Sequence, residues 1–163
     1  MSKRLLIIGI ALIVVGLTGV GVLLWALAPS AVSPYASDGE RIYYTGTGTD
    51  GRAIPRSAAG MMGPGMMTGL ACVDCHGQDG LGGTITMMYG TVEVPDIRYS
   101  VLTSRRAEDG VDIPAWTDAD IRRAIVDGVE PDGQRLTAPM PQWDMTDAEV
   151  ADVIDYLKEL SGR

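Results

Sequence analysis

Leu5 to Ala28 is an uncharged, strongly apolar run of 24 residues. As a helix rising 1.5 Å per residue it extends about 36 Å, enough to cross a hydrocarbon core of about 30 Å with some tilt. Lys3 and Arg4 precede the run, so the positive-inside bias leaves residues 1–4 in the cytoplasm. Residues 5–28 are then a single transmembrane anchor in a bacterial inner (plasma) membrane, with the rest of the chain on the periplasmic or outer side. Ala26-Leu27-Ala28 also has the form of a signal cleavage site. The length of the run and the Pro29 that follows directly favour an uncleaved anchor. Residues 29–36, small, polar and carrying Pro29 and Pro34, read as a linker.

Beyond the linker the apolar spacing is mostly helical. Ser37 to Tyr44 reads as a short helix with acids in its first turn, placing Gly39 and Tyr43 on one face. Thr117 and Gly128 bracket a second helix with Ile121, Ala124 and Ile125 as its buried stripe. Thr146-x-x-Glu149 is a capping box, and it opens a third helix with Val150, Val153, Ile154 and Leu157 at i, i+3, i+4 and i+7. That helix ends near Gly162. Thr84 to Val94 alternates weakly, as a short hairpin with Tyr89-Gly90 at its turn. The expected fold class is mainly α, a single domain over residues 37–163.

Residues 46–69 are an irregular insertion rich in glycine and methionine. Gly46-Thr47-Gly48-Thr49-Asp50-Gly51 matches G-x-G-x-x-G, but without a preceding strand and a βαβ unit it is a loop. Met61, Met62, Met66 and Met67 follow. Thioethers suit Cu(I), and they also serve as adaptable packing. Packing is the better reading, because neither a histidine nor a thiolate is left to complete a copper site.

Charge narrows the partners. The chain carries −8 formally, and from Asp38 onward eleven basic side chains stand against twenty-one acidic ones, a net of −10. A nucleic-acid partner is disfavoured by that sign, and a protein with a basic docking face is expected instead. The chain has no phenylalanine and only nine Trp and Tyr together. A bound apolar group is one way to complete so thin an aromatic core.

Cys72-Val73-Asp74-Cys75-His76 supplies such a group. C-x-x-C-H is a covalent haem attachment pattern: two thiols three positions apart reach both vinyl groups on one edge of the ring, and the histidine falls under the iron. These are the only two cysteines and the only histidine in the chain. A zinc site would need two more Cys or His ligands, and a redox dithiol would want a βαβ pattern. With a single histidine, the second axial ligand is sought among methionines. Met140 stands between Pro139 and Pro141, in a segment held extended, which suits a thioether that must point at one atom. Met145 and the four loop methionines are its competitors. A carbonyl of the Pro95 segment is a candidate to orient His76. Arg98 is a candidate partner for a haem propionate, with an ordinary solvated arginine as the alternative. Trp143 is another, with core packing as its alternative.

The chain from Asp38 to its end resembles a class I monohaem cytochrome c. The likeness rests on Gly39-x-x-x-Tyr43, C-x-x-C-H-G, the Met140-Pro141 loop and a last helix containing Ile154-Asp155-Tyr156-Leu157. It implies a small helical fold whose first and last helices cross near Gly39 and Tyr156. It implies one covalent haem c on Cys72 and Cys75, with His76 as proximal and Met140 as distal ligand. The expected function is one-electron transfer rather than catalysis, and no residue is assigned a catalytic role. The expected partners are a quinol-oxidising complex and a terminal oxidase or reductase. A fixed subunit of a larger respiratory complex is the alternative, followed by a five-coordinate haem enzyme or gas sensor. The insertion at 46–69 and the anchor set the chain apart from soluble members of the family.

Overall fold

The computed structural model describes residues 3, 7, 12–14, 16, 33–57, 70–87, 90–108, 111–136 and 139–163. The chain divides into two units, Met1–Pro34 and Tyr35–Arg163. In the first, the described residues are helical except Ser33 and Pro34, and Ile7, Leu12, Ile13 and Val14 are all more than half exposed. No helix among the described residues is long and apolar enough to cross a membrane. Most of the anchor expected at 5–28, much of the 29–36 linker, and the whole Met61–Met67 stretch lie outside the described residues.

The second unit runs α1 (Asp38–Thr45), β1 (Arg56–Ser57), α2 (Cys72–His76), β2 (Gly83–Met87), β3 (Gly90–Val94), α3 (Tyr99–Leu102), β4 (Arg106–Glu108), β5 (Val111–Ile113), α4 (Asp118–Asp127), β6 (Gln142–Trp143) and α5 (Asp147–Leu160). Each of the longer helices begins at a side-chain cap that satisfies an otherwise orphaned amide. Ser37 Oγ accepts from the Glu40 amide at the start of α1, and Thr117 and Thr146 accept from Asp120 and Glu149 at the starts of α4 and α5. Gly46 and Gly128 end α1 and α4 in the left-handed conformation, where a side chain would be strained.

Helices α1 and α5 cross in contact. Gly39 makes this possible: a Cβ there would overlap the Asp152 carbonyl and stand 3.0 Å from Tyr156 Cβ. Beside that approach the Tyr43 and Tyr156 rings lie 5.2 Å apart, both fully buried. Ile42, Val150, Val153, Ile154, Leu157 and Leu160 extend the core, and Ile121 and Ile125 of α4 close it.

The expected helices stand where their caps and spacing put them. The β structure differs more. Strands β2 and β3 form an antiparallel hairpin, but the register pairs Met87 with Gly90, so Gly90 closes the ladder and is not in the turn. Two further antiparallel pairs, β1 with β6 and β4 with β5, were not expected from the sequence. They are two and three residues long, too short for an alternating pattern to register. Residues 46–51 are a loop, closed by a Thr47–Ala53 bridge.

Candidate haem site

Helix α2 is one short turn that presents the attachment motif. At its start the Asp74 carboxylate accepts the Ala71 amide at 2.6 Å. Cys72 and Cys75 are both free and half-buried on this turn. Burial pushes the Cys72 thiol up to about 12 and also raises Cys75, where Asp74 adds to the effect. Thiols held this firmly protonated are poor redox nucleophiles, which need a lowered pKa. A thioether has no proton to lose and suits the same pocket.

His76 ends the helix and is 6% exposed. Its Nδ1 lies 3.2 Å from the Pro95 carbonyl oxygen. A carbonyl only accepts, so Nδ1 carries the proton and Nε2 keeps its lone pair. Burial lowers the His76 pKa, and the Pro95 contact offsets part of that, so the ring is neutral near pH 7. Neutral imidazole with one nitrogen oriented by a carbonyl is the form that ligates a metal. The donor set therefore fits a covalently attached haem: two protonated thiols and one oriented imidazole within a single helical turn.

The loop leaving α2 is tied to the rest of the fold by backbone carbonyls. The Tyr43 hydroxyl donates to the Gly77 carbonyl at 2.6 Å, joining α1 to the motif. The Gly82 amide donates to the His76 carbonyl at 3.0 Å, and the Ile97 amide to the Gly80 carbonyl at 2.8 Å.

Of the other candidate residues, Met140 is half-buried and packs on the same core cluster as Cys72 and Val73. Its competitor Met145 is buried inside that cluster. Trp143 is 3% exposed, with the Arg56 guanidinium 4.7 Å above its ring. Arg98 is held by Asp96, its Nη2 2.6 Å from one carboxylate oxygen and its Nε 3.1 Å from both. The fold thus gathers Cys72, Cys75, His76 and Pro95 directly, puts Met140 against the shared core and Trp143 inside it, and gives Arg98 a carboxylate partner. The sequence places Tyr43 on the Gly39 face of its helix and says nothing of its hydroxyl. Its hydroxyl bond to the motif has no signature along the chain, because donor and acceptor are 34 positions apart.

The model of the cytochrome c family matches residues 67–161. The chain is a member of the cytochrome c family. No curated protein and no solved structure matches it. The match starts just before the attachment motif and runs to the end of α5. Helix α1, which packs on α5 through Gly39, lies ahead of it, across the insertion at 46–69. As a c-type cytochrome the protein binds haem c covalently through C-x-x-C-H and transfers electrons.

Proposed function

We propose that the protein is a membrane-tethered, single-haem electron carrier of the class I type, with His76 and Met140 as the axial ligands. The observation that carries the reading is the His76 ring, buried and oriented through Nδ1 by the Pro95 carbonyl, with Nε2 left to ligate. Haem c supplies a reversible one-electron couple at its iron. The chain's part is to hold that group by Cys72 and Cys75, fix the imidazole, and exclude water with the core that Met140 adjoins and Trp143 helps form. Met140 is favoured over Met145 because it stands at the edge of the core, between prolines, whereas Met145 fills the interior. With both axial positions taken by side chains, the protein relays electrons and offers no open position for substrate.

Arg98 and Trp143 act through packing and pairing in this reading, since Asp96 engages the first and Arg56 covers the second. The apolar run at 5–28 supports a tether, which raises the local concentration of the haem domain near membrane partners. The net charge of −10 from Asp38 onward favours partners with a basic face, a quinol-oxidising complex on one side and a terminal oxidase or reductase on the other.

The test is the absorption spectrum of the oxidised protein with and without Met140→Ala. Loss of the long-wavelength iron–thioether band in the variant is the expected result. An unchanged band would remove Met140 from the ligand set. Purification in mild detergent then separates a free carrier, which runs alone, from a complex subunit, which does not.

A further inference from the structure

We propose that Gly82 is a positioning residue which, through the base of the β2–β3 hairpin, seats the Pro95 carbonyl on the His76 ring and so tunes how strongly that imidazole donates. The inference rests on His76 being the iron ligand. Strands β2 and β3 leave and return beside His76. On the outgoing side the Gly82 amide bonds the His76 carbonyl at 3.0 Å; on the return side the Pro95 carbonyl meets His76 Nδ1 at 3.2 Å. Between them Gly83 pairs with Val94 as the first rung of the ladder.

The two sides are pressed together at Gly82. Its φ is +68°, and a Cβ there would overlap the Val94 carbonyl oxygen and lie 2.5 Å from the Pro95 carbonyl oxygen. Only glycine satisfies both the left-handed backbone and that approach. Any side chain at this position drives the 94–95 backbone away, and the atom displaced is the acceptor of the His76 proton. None of the hairpin's described residues belongs to the core cluster, so those residues do not tie the Pro95 carbonyl to the core. Its position depends on the hairpin base and on the neighbouring Ile97–Gly80 bond.

A carbonyl that accepts from Nδ1 makes Nε2 a stronger donor, which favours the more highly charged iron. Displacing it therefore raises the reduction potential. Gly77 provides a matched comparison. It is adjacent to His76 and also has a positive φ, +75°, yet a Cβ there meets nothing within 4 Å. Backbone strain alone would act at least as strongly from Gly77 as from Gly82.

The experiment compares the reduction potentials of the full-length holoprotein, Gly82→Ala and Gly77→Ala. The expected result is an upward shift in Gly82→Ala of about 59 mV, the value of a tenfold change in the one-electron equilibrium, clearly larger than that in Gly77→Ala. Equal shifts in the two variants, or none in Gly82→Ala, overturn the proposal. Should Gly82→Ala fail to accumulate with haem, hydrogen exchange on the unaltered holoprotein decides. The His76 Nδ1 proton is expected to exchange in the same opening event as the Gly82 amide, before the amides of α1 and α5. A ring proton that exchanges only with α1 and α5 overturns it. A His76 ring without the shifted resonances of an iron ligand in the unaltered protein instead defeats the ligand assignment itself.

Discussion

Gly39 and Asp152 bring two helices together through backbone alone: the α-carbon of the first lies where a Cβ would overlap the carbonyl of the second. Gly39→Ala therefore has to separate α1 from α5 or bend one of them. The Tyr43–Tyr156 contact at 5.2 Å would open with it. Overpacking of this kind costs about 3 kcal/mol. The measurement is denaturant unfolding of the holoprotein, and a loss under about 0.5 kcal/mol, the usual range of a neutral surface change, would show that the crossing is not tight.

Tyr43 links this crossing to the haem motif by its hydroxyl on the Gly77 carbonyl. The hydroxyl is the only part that Tyr43→Phe removes, so the expected loss is about 1 kcal/mol of stability. Tyr44 donates to the Gln78 carbonyl across a longer 3.4 Å. Tyr44→Phe is expected to cost less. Equal losses in the two variants would mean that the Gly77 bond is not a special tie between α1 and the motif.

The three longer helices were legible in the sequence because their signals are local. Ser37, Thr117 and Thr146 each stand three residues before the amide they cap, and the apolar spacing of α5 matches the face it buries. The attachment motif was legible for the same reason, its chemistry being packed into five consecutive residues. What escaped reading depends on distant partners. Arg56–Ser57 pairs with Gln142–Trp143, and neither two-residue strand carries a pattern. Arg98 reads from the sequence as a propionate candidate or an ordinary solvated arginine, and nothing in the chain says that Asp96, two residues away, would engage its Nε and Nη2. The role of Gly82 needs the return of the chain at Pro95, thirteen residues later, before its missing side chain has meaning.

Charge crowding on α5 gives a pH-dependent prediction. Burial raises the Asp152 carboxyl above its ordinary value, and Asp38, Asp155 and Glu149 raise it further against a partial offset from Arg41. The native state then holds this proton at a pH where the unfolded chain, with a value of about 3.9, has lost it. Stability falls as the pH rises through that window, and the full deficit is present at pH 7. Asp152→Asn is expected to raise stability at pH 7 by roughly 0.5 kcal/mol, the scale of like-charge pairs three apart on a helix. The gain disappears below about pH 4 and shrinks in high salt. Thermal unfolding at two pH values checks it, and a gain that persists at low pH would point to packing instead of charge.

Met140 and Met145 divide stability from ligation, and they do so in opposite directions. Met145 is 6% exposed within the core cluster, so Met145→Ala leaves a cavity and is expected to cost about 2–5 kcal/mol. Its spectrum should keep the iron–thioether band, because the side chain serves packing. Met140 packs only partly against that cluster. Met140→Ala removes less buried surface, so its apolar loss falls at or below the low end of the same range. Yet it is the variant expected to lose the band and to lower the potential, a thioether being the axial ligand that raises it. Measuring unfolding and spectrum on both proteins separates the roles. If Met145→Ala alone lost the band, the ligand would be the buried methionine, and the proline-flanked segment at 139–141 would be a rigid wall of the haem pocket.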